Sequence, residues 1–391
     1  MITQSQNVLL EAIKSSLFGY SPIYPEFVNW AEVIYEAKAQ TVLGLISNVI
    51  PVHNELSEHD RVAYVRTMYE QDKLVSLLNC HHIPFVIIKG CAAAIYYPKP
   101  YLRTMGDIDV LVPQDYFDKA VCALESSGYV YLHENPRHKC YTKGGVEVEL
   151  HHHFSSSGFN VDDILDEAIG RREQITLNGY SFSVLPSVEN GLVLLGHINQ
   201  HLKTNSLGLR QVIDWEMYIH NVVKNNIEMD RFIDIVEKRG LLNLAVCVTK
   251  VCNEYLGLPE SFDKFKYVED SITRDFICII LNDGNLGRRE NLLGKESDRS
   301  IRRASYNIKR HGFFSYMKKV GFEKSGLKKN SAINRALAFL CGSFYILSSG
   351  IKALKSGSRY VEQIEQGRRR YDLYRRLGVR LENYNGDEEG L

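Results

Sequence analysis

The chain lacks a net charge: its 47 Lys+Arg residues are matched by 47 Asp+Glu. A strong overall field of either sign is excluded, and with it the signature of a chain that binds nucleic acid over its whole surface. CxxC pairs are also missing. Eight cysteines, at 80, 91, 122, 140, 247, 252, 278 and 341, fall at irregular spacing. That scatter fits reduced thiols in a cytoplasmic protein better than a disulfide frame or a zinc site. No long apolar run is present. The longest uncharged stretch, Ala336 to Ile351, is broken by Gly342, Ser343, Ser348, Ser349 and Gly350. It falls short of the roughly 20 residues of a spanning helix, so the expectation is a buried or interface helix and no transmembrane segment. The opening MITQSQNVLLEAIKSSLFGY lacks the basic start and apolar core of a secretory signal, and no internal repeat is visible. With 45% apolar and 24% charged residues, global disorder is excluded. A chain of 391 residues can bury a sizeable core and is expected to hold two or three domains.

What is present is unevenly placed. From Ile301 to Arg380 there are 19 Lys+Arg against 4 Asp+Glu, a surplus of 15. The first 80 residues read helical, with apolar residues at three-to-four spacing and Pro51 as a break. Then the period changes. IPFVIIKG is a short β-branched run closed by glycine, CAAAIYY a short helix stopped by PKP, and DIDVLVP a second strand. PQDYFDKAVCALESSGY reads as an amphipathic helix ended by Gly128, followed by strands in YVYLHE and KCYTKGGVEVELHHHF with a Gly144-Gly145 turn. From about Ser187 the pattern is helical again. The glycine- and charge-rich DGNLGRRENLLGKESD is the expected domain boundary, and NYNGDEEGL a frayed acidic tail. The expected layout is α+β: N-terminal helices (1–80) packing on the catalytic module, a sheet module (81–185), a helical domain (186–283), and a basic helical extension (299–391).

The stretch YLRTMGDIDVLVP sets Asp107 and Asp109 two apart where an apolar strand begins. On a strand that spacing projects both carboxylates from one face, where they repel unless cations neutralise them. Mg²⁺ is a hard ion that joins one or two carboxylates to substrate phosphates. In VEVELH, Val146, Val148 and Leu150 share one face while Glu147, Glu149 and His151 share the other. A glutamate from that polar face makes a third carboxylate if the two strands are neighbours. Three such groups can hold two metals that clamp the attacking and leaving oxygens of an in-line displacement at phosphorus. The bland alternative is an Asp-x-Asp that caps backbone or faces solvent.

FVIIKGCAAAIYYPKPYLRTMGDIDVLVPQDYFDKAVCALESSGY followed by VEVELHHHF resembles the bacterial nucleotidyltransferase-like family often labelled uncharacterised, within the polymerase-β-like nucleotidyltransferase superfamily. HINQHL and LGLRQVIDWEMYI extend the likeness, which covers roughly residues 25–270 and leaves the basic extension outside. The resemblance implies a polymerase-β-like mixed sheet with flanking helices. It implies Asp107, Asp109 and Glu149 as catalytic metal ligands for Mg²⁺ or Mn²⁺. It also implies Lys89-Gly90-Cys91 in place of the superfamily's glycine-rich turn, with Gly90 and Cys91 N–H groups at a helix start toward triphosphate oxygens. The turn departs from the wider superfamily, which prefers Gly-Ser or Gly-Gly with a shorter gap to the first aspartate. The implied activity moves a nucleoside monophosphate from a nucleoside triphosphate to an acceptor hydroxyl, with a small molecule first among acceptors. A tRNA end, a protein side chain, or a catalytically silent binding module are the alternatives.

Supporting residues carry two readings each. Lys89 contacts phosphate or makes a structural salt bridge. Arg103 binds phosphate through its planar fork or pairs with Asp107 or Asp109. His151 orients a carboxylate or touches substrate, and His138 lies just ahead of the hairpin. His197 and His201 share a helix face as a packing pair or a wall of the acceptor pocket. Arg210 and Asp214, four apart, form an intrahelical ion pair, or Arg210 faces substrate. Arginines and tyrosines of GRRRYDLYRRLGVR open a route to nucleic acid or an anionic membrane. The expectation is instead that the extension packs on the core through the stripe Leu337, Leu340, Phe344, Leu347 and Ile351.

Overall fold

The computed structural model describes residues 2–51, 55–155, 159–203, 207–222, 226–259, 269–285, 296–327, 331–355 and 360–377. The acidic tail and most of the expected boundary segment (286–295) lie outside them.

Seven short runs rich in β-branched and aromatic residues form the strands: β1 (Val86–Ile88), β2 (Ile108–Leu111), β3 (Val130–Asn135), β4 (His138–Lys143), β5 (Val146–His151), β6 (Glu173–Leu177) and β7 (Tyr180–Val184). They make one mixed sheet in the order β3-β4-β5-β2-β1-β7-β6. Pairs β2–β5 and β1–β7 are parallel and the others antiparallel. The Gly144-Gly145 turn holds φ of +60° and +75°, the left-handed pair a two-residue hairpin requires, and it fixes the β4–β5 register. The β6–β7 hairpin was not read from the sequence.

Alternation along β1, β2 and β5 gives the sheet two different faces. Ile87, Val110, Val148 and Leu150 face a core shared with Tyr64, Met68, Leu74 and Leu78 of helix α4 (Glu55–Cys80). At about 1.5–3 kcal/mol for each large apolar side chain fully buried, that layer pins α4 and the register of the strands together. The opposite face carries Val86, Ile88 and Leu111 into a larger core. That core is built with α1 (Gln4–Phe18), α2 (Trp30–Gln40) and α3 (Leu43–Ile46), and with later helices α8 (Ser187–Lys203), α9 (Leu209–Val222), α10 (Asn226–Lys238), α11 (Leu242–Val251) and α12 (Asp270–Asp283). Of the N-terminal segment, then, α4 lies on the sheet module while α1–α3 share their core with the 187–283 helices. Between the strands run α5 (Gly90–Ala94), α6 (Phe117–Ser126) and α7 (Asp162–Ile169).

The extension forms α13 (Glu296–His311), α14 (Phe313–Ser325), α15 (Ala332–Lys355) and α16 (Tyr360–Arg376). Tyr306, Leu373, Tyr374 and Leu377 join the main core. Buried Arg370 pairs with Asp283 of α12, and Arg376 reaches Glu269 and Asp275. The stripe expected to make this contact does not make it: Leu337, Leu340, Phe344, Leu347 and Ile351 all stand exposed. Helix α15 packs on α14 with its other side, where Gly321 and Gly342 let the two backbones touch. The period of the stripe was read correctly, but its direction is set by the glycines.

Candidate functional site

Asp109 and Glu149 are direct partners on the parallel strands β2 and β5, so their side chains rise side by side from the face turned toward the larger core. Asp107 precedes β2 by one residue. Ligand atoms from Asp107, Asp109 and Glu149 lie within 4.8 Å of one another. Glu147, although on the same face of β5, is exposed opposite Thr142 and outside this group. The strand pairing, rather than the composition of either strand, brings the carboxylates together.

Three further side chains close on the trio. Lys89 directly follows β1, and its Nζ stands 2.6 Å from Asp109 Oδ1 and 3.9 Å from Glu149 Oε2. Its backbone sits at φ 53°, ψ −127°, a region a side chain rarely adopts, worth about 1–3 kcal/mol of strain. Strain of that kind persists where the surrounding structure holds it, often at functional positions. His151 Nε2 bridges Asp109 Oδ1 at 3.0 Å and Glu149 Oε2 at 3.1 Å. His138, opposite His151 in the β4–β5 ladder, brings Nε2 to 3.5 Å from Glu149 Oε1. His138, Glu149 and His151 thus form a second convergent group. His152 points the other way, to Gln114 at 2.6 Å.

The charges respond to this crowding. Asp109 beside it, and then burial, push the Asp107 carboxyl above the usual aspartate range. Burial pushes Glu149 up, but the His151 hydrogen bond and the Lys89 charge outweigh it and hold the carboxyl down to about 2. Burial works against the charge on Lys89, yet Asp109, Glu149 and Asp107 together raise its pKa. Burial lowers His138 to about 4. Lys89 thus stands as the internal counter-ion of the cluster.

Gly90 and Cys91 follow Lys89 into α5. A Cβ at Gly90 would stand 3.5 Å from the Asp107 carbonyl oxygen, which places this turn directly against the acidic loop. The Cys91 thiol is buried 3.5 Å from Met68 Sδ, and burial pushes it up to about 12, so the thiol is withdrawn from the acidic group. Arg103 is not free. It grips Asp214 with two hydrogen bonds of 2.7 Å, Nε to Oδ1 and Nη2 to Oδ2, and pairs with neither Asp107 nor Asp109. Tyr97 donates to the same carboxylate at 2.8 Å.

The intrahelical Arg210–Asp214 pair expected from their spacing is accordingly absent, because Asp214 is already saturated from the sheet side. Arg210 makes no ion pair among the described residues. Its Nη1 would stand 3.6 Å from a Cβ at Gly106, and its buried Nε has no partner, so a bare guanidinium borders the loop that carries Asp107. On α8, His197 and His201 touch through their Nε2 atoms at 2.6 Å. Burial lowers both, His201 to about 3, and the charges of Lys89 and Arg210 push the same way. The two rings thus form a neutral wall within the field of the cationic groups. Sequence reasoning gave His138 little weight and overlooked Tyr97. Counting back from the two-residue Gly144-Gly145 turn places His138 across from His151, which is the signal that finds it.

No curated protein matches the chain. A solved structure described as an antigenic nucleotidyltransferase-like protein from Paracoccidioides brasiliensis is similar over 52% of this chain and 97% of its own, at 14% identity and a TM-score of 0.32. No described helix is long and apolar enough to cross a membrane. Residues 28–257, which hold every side chain of the acidic cluster, match the family described as "Uncharacterised nucleotidyltransferase", and with more than half of its length inside that match the chain belongs to this family.

Proposed function

We propose that the chain transfers a nucleoside monophosphate from a nucleoside triphosphate to an acceptor hydroxyl, most readily one on a small molecule, with release of pyrophosphate. The observation that carries this reading is the pairing of Asp109 with Glu149 across β2 and β5, with Asp107 within 4.8 Å of both. An all-oxygen donor set of this kind suits Mg²⁺ or Mn²⁺, and the raised Asp107 carboxyl reports mutual repulsion that a divalent cation relieves. When bound, the metal supplies Lewis-acid stabilisation of charge at the attacked phosphorus and the leaving oxygen.

The protein's own groups do the rest. Asp107 and Asp109 would hold both metal ions, and Glu149 would complete the ligand set of the one on the acceptor side. Lys89, already poised between Asp109 and Glu149, and unpaired Arg210 supply positive charge for the phosphate chain. Backbone N–H groups of Gly90 and Cys91 border the same region. The acceptor oxygen bonds to the α-phosphorus as the bond from that phosphorus to the leaving pyrophosphate oxygen breaks. Glu149 assists removal of the hydroxyl proton, which passes on to solvent. His197 and His201 wall the acceptor side. Arg103 acts at a distance, holding the loop before Asp107 against α9 through Asp214.

The test is incubation of the protein with Mg²⁺ or Mn²⁺, each labelled triphosphate in turn, and fractionated cell extract. Pyrophosphate release with label in a small molecule supports the reading, and label in tRNA or protein would move the acceptor class. One observation favours a second reading: Lys89 already neutralises Asp109, as a catalytically silent module of this fold would require. Absence of pyrophosphate release with every triphosphate, together with no effect of metal on stability, decides for the silent module.

A further inference from the structure

The helices of the extension pair off as α13 with α16 and α14 with α15, and the two pairs are built differently. The first is tied down by charge. Lys309 bonds Asp372 at 2.6 Å, and the Arg370 and Arg376 pairs described above join α16 to α12 and the segment before it. The second pair is left open. A Cβ at Gly321 would run into the Ala338 carbonyl oxygen and one at Gly342 into that of Met317, so α14 and α15 meet closely through one glycine from each.

Half a turn away, Ile333, Leu337, Leu340, Phe344, Leu347 and Ile351 recur at alternating four- and three-residue steps and point outward. Phe344 is 75% exposed, Leu347 67% and Leu340 62%. A monomer rarely shows so continuous an apolar ridge to water. Beside the ridge lies a groove of about 530 Å³ between α14 and α15, in which Phe314 and Phe339 stack at 5.7 Å and Lys318 and Arg335 stand as the cations. Ala336 lines the groove and sits next to Leu337 on the helix, so groove and ridge are continuous. From Phe313 to Lys355 the chain has eight Lys+Arg and one acidic residue, Glu323, and α15 itself has no acidic residue.

The occupant follows from charge. A second copy would bring the same cations against themselves, with no carboxylate on α15 to pair them. A negatively charged bilayer offers what both parts lack: an apolar layer for the ridge and phosphates for Lys318 and Arg335. We propose that the α14–α15 hairpin lies flat on an anionic lipid surface, its ridge seated at the boundary between headgroups and acyl chains. The cationic groove beside it takes headgroup phosphate. The bilayer then holds the rest of the chain at the membrane without any spanning segment.

The experiment is vesicle co-sedimentation of the full chain. One set of vesicles is phosphatidylcholine alone, and the other has phosphatidylglycerol as a third of the lipid. The expected result is at least about tenfold stronger binding to the anionic set, weakening as salt screens the surface. A double variant, Phe344→Ser with Leu347→Ser, should lose the binding while keeping the thermal midpoint of the wild type, since both side chains stand in water. Lys318→Glu with Arg335→Glu should remove the preference for anionic lipid. Four outcomes would each overturn the proposal: no sedimentation with anionic vesicles, binding indifferent to vesicle charge, binding that the serine variant retains, or a lipid-free dimer that the serine variant splits.

Discussion

Asp107→Asn and Asp109→Asn look equivalent on paper, yet the structure separates them in stability even though both should abolish nucleotide transfer. Asp109 is buried, with Lys89 Nζ at 2.6 Å and His151 Nε2 at 3.0 Å. Removing its charge leaves a buried ammonium with Glu149 at 3.9 Å as its nearest carboxylate. Breaking a buried pair costs about 3–5 kcal/mol, and the remaining glutamate brings the expectation to the low end, about 3 kcal/mol. At an unfolding entropy of about 2.1 cal/mol/K per residue, a chain unfolding as one unit would lose about 4 °C in Tm. Asp107 differs in sign. Its carboxyl is raised by the neighbouring Asp109, so the folded state holds a proton there more tightly than the unfolded chain does. Ionisation of Asp107 therefore subtracts stability once pH exceeds the unfolded value of 3.8, and asparagine removes that penalty. Asp107→Asn should leave Tm unchanged or raise it by the equivalent of up to about 1 kcal/mol. The assay is thermal unfolding at neutral pH in chelator, repeated with Mg²⁺ or Mn²⁺. Metal at a hundredfold excess over its Kd should stabilise the wild type by about 2.7 kcal/mol and neither variant to that extent. An Asp107→Asn protein that falls as far as Asp109→Asn would refute the reasoning, as would equal metal stabilisation of all three proteins.

Glu149→Gln should cut transfer severely and Glu147→Gln hardly at all, measured as pyrophosphate release; the reverse order would mean that the wrong residue of the β5 face had been chosen. Arg103→Ala should cost about 3–5 kcal/mol in urea unfolding, because Asp214 is then buried with Tyr97 alone, and Arg103→Lys should recover only part of that since it has no fork. A loss below about 1 kcal/mol for Arg103→Ala would show the pair to be incidental. His201, at about 3 when folded against 6.5 in its ordinary state, takes up a proton less readily in the fold than out of it. Its share of stability is complete above pH 6.5 and drains as pH falls toward 3, so His201→Gln should flatten the stability profile in that window; an unchanged profile would contradict a buried neutral ring.

Legibility followed the range of the interaction. The carboxylate spacing and the alternation of VEVELH are local, and they identified the face that β2 and β5 share. The partnership of the two strands is not local: β2 pairs in parallel with β5 while α6 and the β3–β4 hairpin intervene, and only the family resemblance singled out Glu149. Arg210 and Asp214 show the opposite failure. Helical spacing predicts their pairing, but a better-placed fork arrives from the sheet module, and a bidentate buried partner outcompetes an intrahelical one. The α15 stripe fails in a third way. Periodicity shows that a helix has an apolar face, whereas which way that face turns depends on Gly321 and Gly342, whose lack of side chains draws the opposite side against α14. The β6–β7 hairpin went unread because its residues, EQITL and YSFSV, are half polar, and β6 forms an exposed edge of the sheet.

Lys89 ties these levels together. A glycine would adopt φ 53°, ψ −127° without strain, yet this position carries a lysine whose backbone costs stability to hold. The side chain is therefore what the position serves. From the end of β1, antiparallel to β2 with Ile88 opposite Asp109, the next residue must turn sharply for its ammonium to cross to Asp109 rather than run out along the strand. The same turn starts α5 and lays Gly90 against the Asp107 carbonyl. One strained residue thus supplies a counter-ion to Asp109 and Glu149 and sets the turn that borders them. On the proposed function, a divalent cation held by Asp107, Asp109 and Glu149 would take over the first of these tasks and leave the Lys89 ammonium for the phosphates of a bound nucleotide.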